Sequence, residues 1–384
     1  MSYLTETIAK KNFVYFDNAA TSFYKPNSVK LAVMEAMTKR TANPGRSGHK
    51  LSQNVAEKIF ETRENVKDFF GAKNYDLIFT KNCTEALNLA ILGTLKKGDH
   101  VIASCYEHNS VLRPLEHLKN EGVEVTILDC DLQNFHESFE EKIQPNTKLV
   151  ITTFVSNVTG DICDVFSVSK ICKKYNLKYL IDAAQASGHC EINLEEIGAD
   201  MLAFAGHKGL LSLTGAGGLF VKKLNDLRPI IYGGTGTESE NLMQPTDTIE
   251  GFEAGTISTI SILSLNAGVN FLRKNFSKII EKEHKLSEYL HKNLQNLDFL
   301  TLFSKNTSQN VFSFNIKNLD SGTVANALNE QYHICVRAGL HCAPLVHKKN
   351  GTLNDGVVRV SVDFNNSFAE IDYLIYALKE IANA

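Results

Sequence analysis

Lys208 closes the segment Phe204-Ala-Gly-His-Lys208, just past the apolar run Asp200-Met-Leu-Ala-Phe204. Asp182 closes an earlier apolar run, Lys178-Tyr-Leu-Ile-Asp182. An amine and a carboxylate delivered to the ends of two strands could serve one cofactor. Pyridoxal phosphate needs a lysine for its aldehyde and a carboxylate that keeps its ring nitrogen protonated and electron-withdrawing. Taken singly, each residue has a plainer explanation, as a solvated loop lysine and a helix-capping aspartate. The polar groups at the other strand ends tip the balance.

The elements that must position this pair are short apolar runs at 76–80, 100–104, 148–154, 178–182 and 200–204, separated by stretches long enough for crossover helices. That pattern predicts a mainly parallel sheet with helices on both faces. In such sheets ligands bind beyond the carboxyl ends of the strands. Read there, the chain offers Asn82-Cys-Thr84-Glu85, Glu107-His108-Asn109, Ser156-Asn157, Asp182-Ala-Ala-Gln185 and His207-Lys208. Cys83 and Thr84 open a helical stretch through Leu95, so free amides, the helix dipole and the Thr84 hydroxyl suit a phosphate; a plain threonine cap has the same geometry. His108 suits stacking on a ring and moving protons, and Asn157 and Gln185 suit its phenolic oxygen. Each alone reads as an ordinary loop residue.

A second constellation lies near the end, in Val336-Arg-Ala-Gly-Leu-His-Cys-Ala-Pro344. A cysteine attacks sulfur as the thiolate, and Arg337 and His341 beside Cys342 are neighbours that could lower its pKa. A half-buried structural thiol explains the same residues. His341 and His347 near Cys342 fit no established metal-ligand spacing, so no metal is expected. Arg359, within the alternation Val358-Arg-Val-Ser-Val362, could fork onto a substrate carboxylate; the plain alternative is an exposed strand residue in a surface ion pair.

Tyr15-Phe-Asp-Asn-Ala-Ala-Thr21, Arg46-Ser-Gly-His49, Thr84-Glu-Ala, Glu107-His-Asn-Ser110, Val155-Ser-Asn-Val-Thr-Gly160, Asp182-Ala-Ala-Gln185, Gly206-His-Lys208, Glu253-Ala-Gly-Thr256 and Arg337-Ala-Gly-Leu-His-Cys342 run in one order over nearly the whole chain. In this the sequence resembles the cysteine desulfurases of the class V aminotransferase superfamily, within them a desulfurase-like subgroup with the Arg-Ala-Gly-Leu-His-Cys-Ala-Pro motif. The resemblance implies the PLP-dependent transferase fold type I, an α/β architecture with a large mainly parallel-sheet domain and a smaller α+β domain. It implies pyridoxal 5'-phosphate on Lys208, Asp182, Gln185, His108, Cys83, Thr84, Asn157, His207 and Thr256, the last in the other subunit's site of a homodimer. It further implies Arg359, Arg337, His49 and Asn157 around an amino-acid substrate, with Lys208, His108 and Cys342 catalytic. L-cysteine would become L-alanine, with its sulfur left on Cys342 as a persulfide for an acceptor protein. Selenocysteine lyase and cysteine or cystine β-lyase are the alternatives on this scaffold, and a PLP-bound sulfur-carrier without turnover is the alternative of another class. Two positions depart from the family pattern: Ala205 and Cys83 stand where hydroxyls are usual, which removes two candidate phosphate contacts.

With 384 residues, 43% of them apolar and 22% charged, the chain suits two ordinary globular domains. We place them at 16–265 and 266–384, the second joined by the N-terminal arm 1–15. A formal charge of −3 without a dense basic patch gives no case for nucleic acid or an anionic membrane. The first residues lack a signal pattern and no apolar run spans a bilayer, which predicts a cytoplasmic protein. Its eight irregularly spaced cysteines then read as thiols. Gly215-Ala-Gly-Gly218 and Tyr232-Gly-Gly-Thr-Gly-Thr237 match no nucleotide-binding fingerprint and are expected to be tight connections. A helical stretch over roughly 260–300 is expected to be broken once or twice, followed by strands at 311–315 and 357–362 and helices at 323–330 and 368–382.

Overall fold

The computed structural model describes residues 13–44, 47–237, 239–305 and 309–383. Most of the arm 1–15, and Arg46 of the Arg46-Ser-Gly-His49 motif, lie outside the described residues. Its strands are β1 (Val14–Tyr15), β2 (Asp76–Thr80), β3 (His100–Ser104), β4 (Glu124–Leu128), β5 (Thr147–Thr153), β6 (Lys178–Asp182), β7 (Met201–Ala205), β8 (Gly217–Val221), β9 (Leu300–Leu302), β10 (Val311–Ile316), β11 (Ile334–Cys335), β12 (Arg337–Gly339) and β13 (Val357–Ser361).

The chain forms two compact units. One comprises Lys25–Phe154 and Cys163–Lys274; the other comprises the segment ending at Tyr24, Val155–Ile162 and Asn275–Ala384. The larger unit is built on a seven-stranded sheet of order β2-β8-β7-β6-β5-β3-β4. Only β8 runs antiparallel to its neighbours. Strands β3, β7 and β8 are buried at every position, because helices cover both faces; that is why they read as unbroken apolar runs. Ile78, Val101, Ile151, Leu180, Ala203 and Leu219 belong to one core. Phe70 packs with Phe204 and Phe220 at ring distances of 5.2 and 5.1 Å.

The smaller unit holds an antiparallel sheet of order β12-β13-β10-β9 and a parallel pair, β1 with β11. Phe312, Phe314, Val358, Val360, Leu374 and Leu378 fill its core. The insertion Val155–Ile162 belongs here: Val155 bridges Ile162, and the Ser313 hydroxyl donates to the Val158 carbonyl.

The structure corrects two sequence expectations. Gly217 and Gly218 are not a connection but the start of β8. The long helical stretch is one continuous helix, Thr259–Gln295. Its internal Gly268 resembles a breaker, yet a Cβ there would lie 2.1 Å from the Leu210 carbonyl, so glycine serves a close approach and not a bend. Surface pairs such as Lys285–Glu281, 2.6 Å apart at i,i+4 spacing, support the helix further along. No described helix is long and apolar enough to cross a membrane.

Candidate active site

In the larger unit, the central strands β6 and β7 end at Asp182 and just before His207-Lys208. Asp182 is 4% exposed, and its Oδ1 accepts the Ala184 N–H at 2.9 Å and the Cys83 thiol at 3.6 Å. Burial, then the Asp182 charge, pushes the Cys83 thiol well above its ordinary range, against a weaker pull from Lys208. Cys83 is therefore a protonated donor turned onto Asp182.

Cys83 also begins the helix Cys83–Thr94, capped by Asn82, whose Oδ1 accepts the Glu85 N–H at 2.9 Å. The first amides of a helix precede any intrahelical acceptor. Gly217 lets this helix start approach the sheet: a Cβ there would fall 2.8 Å from the Asn82 carbonyl carbon. The Thr84 hydroxyl lies 2.7 Å from that of Ser110, which lies 2.9 Å from His108 Nδ1. His108 caps the helix Asn109–Asn120 by accepting the Ser110 N–H on Nδ1 at 3.0 Å, so the neutral ring carries its proton on Nε2. Lys25 Nζ donates to the His207 carbonyl at 3.3 Å. Burial, then Lys208 and Lys25, pushes the His207 imidazole down to about 4, so it is neutral near pH 7. Gln185 is buried in the turn after β6.

Glu107, fully buried, is the titratable surprise of this unit. Its Oε1 accepts the Thr153 N–H at 2.7 Å and the Ser104 hydroxyl, while Oε2 is buried without a partner. Burial pushes the carboxyl up to about 8, with Ser104 opposing and Asp182 adding to the rise. A folded pKa above the unfolded value of 4.5 means that the folded protein holds a proton which the unfolded chain releases between about pH 4.5 and 8. Stability is favoured below that window and falls as pH rises through it. Relative to Glu107→Gln, the wild-type protein should lose up to about 1.4 kcal/mol per pH unit across the window, measured by urea unfolding at pH 5, 6.5 and 8. Parallel curves for the two proteins would show the carboxyl to be ionised in the fold.

In the smaller unit, Arg359 on β13 is 1% exposed, unlike the exposed strand residue of the plainer reading. Nη2 donates to Asp17 Oδ1 at 2.8 Å and Nη1 to the Asn157 carbonyl at 3.0 Å, while Nε is buried without a partner. A guanidinium kept charged there by one carboxylate, with donors to spare, suits a second carboxylate. Arg337 sits directly across the β12–β13 ladder from Arg359. Cys342 is half-buried, and it and His341 adopt left-handed φ values of 60° and 48°. His341 Nε2 donates to the Val357 carbonyl at 3.1 Å. Burial, then Arg359 and Arg337, pushes the imidazole down to about 2. His341 is thus neutral, which corrects the expectation that it could lower the thiol's pKa as a cation. Asn157 directs Nδ2 to the His341 carbonyl at 2.7 Å.

His49 is exposed and caps the helix Lys50–Phe69, its Nδ1 accepting the Ser52 N–H at 3.2 Å. Thr256 is exposed and lines a cavity of about 390 Å³ with Lys81, Glu85 and Glu253. The segment that carries it is fastened by Glu253, which pairs with Arg63 at 2.8 Å and accepts the Phe79 N–H at 2.6 Å. Among the described residues no cluster of three or more His, Cys, Asp or Glu could hold a metal ion.

The sequence reading missed Ser110, Lys25, Asp17 and Glu107. Asp17, Glu107 and Ser110 stand inside motifs already quoted, so attention to neighbours of the chemical residues would have found them; Lys25 had no signal. The donor set of the larger unit fits pyridoxal phosphate by its chemistry: an amine at Lys208 for an aldehyde, a buried carboxylate at Asp182 for a ring nitrogen, and a helix start with nearby lysines for a phosphate.

A family model described as aminotransferase class-V matches residues 14–374. The chain is 34% identical to a protein named probable cysteine desulfurase from Methanothermobacter thermautotrophicus, over 97% of this chain and 95% of that one. It is 35% identical to one so named from Pyrococcus abyssi, over 97% and 94%. The apo structure of a cysteine desulfurase from Thermococcus onnurineus superposes with a TM-score of 0.89 at 34% identity, covering 97% and 95% of the two chains.

Proposed function

The chain belongs to the aminotransferase class-V family, and from that membership we infer its chemistry: it is a pyridoxal 5'-phosphate-dependent cysteine desulfurase, converting L-cysteine to L-alanine and leaving the sulfur on an enzyme cysteine as a persulfide. The observation that carries this reading is the match, over nearly the full length of both chains, to proteins named for that activity.

Bound pyridoxal phosphate supplies an electron sink that loosens the Cα–H bond of an amino acid. Lys208 is assigned to hold the cofactor's aldehyde and then to carry the proton from the substrate's Cα. Asp182, its carboxylate oriented in part by the Cys83 thiol, would keep the ring nitrogen protonated. Gln185 and Asn157 serve the phenolic oxygen. Thr84, the helix start at Cys83, His207 and Thr256 would hold the phosphate, and His108 would lie against the ring and move protons. Arg359, with Arg337 across the ladder, takes the substrate carboxylate, and His49 lines the entrance. The Cys342 thiolate attacks the substrate sulfur, an S–S bond forms, and the electrons of the broken C–S bond go to Cβ, which takes a proton with His108 as acid. One L-cysteine and one thiol become one L-alanine and one persulfide.

Thr256 serving the other subunit's site requires a homodimer. In support, the helix Asn27–Lys39 exposes Leu31, Met34 and Met37, and the helix Lys50–Phe69 exposes Leu51 and Phe60, each at 60–65%. A protein thiol is the proposed sulfur acceptor. The eight free cysteines support a reducing, cytoplasmic compartment.

With pyridoxal phosphate, L-cysteine and no reductant, the protein should release one L-alanine per sulfur gained, by amino-acid analysis and intact mass. Pyruvate, ammonia and free sulfide in place of alanine would mark a β-lyase.

A further inference from the structure

The turn that presents Cys342 has an unusual backbone: His341 and Cys342 are both left-handed, at φ 48° and 60°, in a chain where few residues other than glycine adopt such values. L-residues pay about 1–2 kcal/mol each for that conformation, so two in succession persist only where neighbours hold them. One support is the His341 ring, whose Nε2 reaches the Val357 carbonyl. The other is Asn157: its Nδ2 donates to the carbonyl of His341, the peptide that joins His341 to Cys342, at 2.7 Å. Asn157 is itself fixed, because its own carbonyl accepts Nη1 of the buried Arg359.

We propose that Asn157 is a positioning residue for the nucleophile: its side-chain amide latches the peptide bond before Cys342 and so sets the direction of the thiol. The latch deepens the desulfurase reading and rests on it for the role of Cys342. Nδ2 carries a second N–H, and Oδ1 accepts, so the latch leaves atoms for the contacts proposed above. Loss of the latch frees the turn to leave its left-handed geometry without changing any charge beside the thiol.

The test is the rate of iodoacetamide alkylation at each cysteine of the purified holoenzyme, without substrate, followed by peptide mass spectrometry. Asn157→Ala removes the donor, and the near-isosteric, uncharged Asn157→Leu keeps the bulk without it. In both, alkylation of Cys342 should rise on the order of fivefold, the factor set by one hydrogen bond. Cys335, half-buried on β11, should be alkylated at an unchanged rate, and the pH midpoint of the Cys342 reaction should stay in place. An unchanged Cys342 rate in Asn157→Leu would overturn the proposal. So would a moved midpoint, which would make Asn157 an influence on acidity and not on position, or an equal rise at Cys335, which would mark general loosening. Should Asn157→Ala not fold, the near-isosteric Asn157→Leu decides. Failure of the wild-type protein to gain sulfur on Cys342 from L-cysteine would defeat the desulfurase reading alone, because the alkylation readout needs no turnover.

Discussion

Replacement of Cys342 by alanine is expected to lower alanine release from L-cysteine by ~10³-fold or more, while the protein still binds the amino acid. Binding and loosening of the Cα–H bond are assigned to Lys208, Asp182 and Arg359, all of which the substitution leaves in place. Cleavage by sulfur transfer needs a thiolate that takes the sulfur, and no neighbouring side chain in Leu340-His-Cys-Ala343 can replace it. The His341 ring is buried, with Nε2 committed to the Val357 carbonyl, so it does not replace the thiol. The measurement is alanine and sulfide production, together with mass spectrometry of the peptide containing residue 342. In the wild-type protein that peptide should gain one sulfur; in the variant no cysteine peptide should. Undiminished alanine release by Cys342→Ala would sink the sulfur-transfer assignment in favour of elimination.

Lys208→Ala is expected to be as damaging for a different reason. Lys208 is assigned both the covalent hold on the cofactor and the transfer of the Cα proton, and positioned acid–base groups alone contribute about 10²–10⁴-fold. Borohydride treatment of the wild-type protein should fix the cofactor irreversibly to the peptide containing Lys208. The variant should leave it as free aldehyde, with turnover lower by at least the same ~10²–10⁴-fold. The fold should survive, because Lys208 follows β7 and is no part of the core beneath it. Reduction that labels another lysine, such as Lys25, would refute the assignment.

The sequence by itself determined the framework and the inventory. Strands β2, β3 and β6 were legible to the residue because the buried strands of a mainly parallel sheet are short apolar runs between crossovers, and the chemical groups could be read at their ends by the geometry of such sheets. It also determined which residue types are available: one thiol between His341 and Ala343, one carboxylate at the end of β6, one lysine after β7. Only the tertiary structure decided what those groups touch. Arg359 reads from sequence as an exposed or substrate-facing arginine; its ion pair with Asp17 joins residues 342 positions apart, which no local pattern encodes. Asn157, between strands of the larger unit in the chain, folds into the smaller one and holds the cysteine turn, 184 positions away from its partner. The charge of His341 was likewise not local: the motif alone suggested a group that could lower the Cys342 pKa, whereas burial and two arginines on paired strands keep the ring neutral. The physical reason is common to all three. Periodicity and turn chemistry report the backbone's local preferences, but burial and charge pairing are fixed by contacts that exist only once distant segments have met.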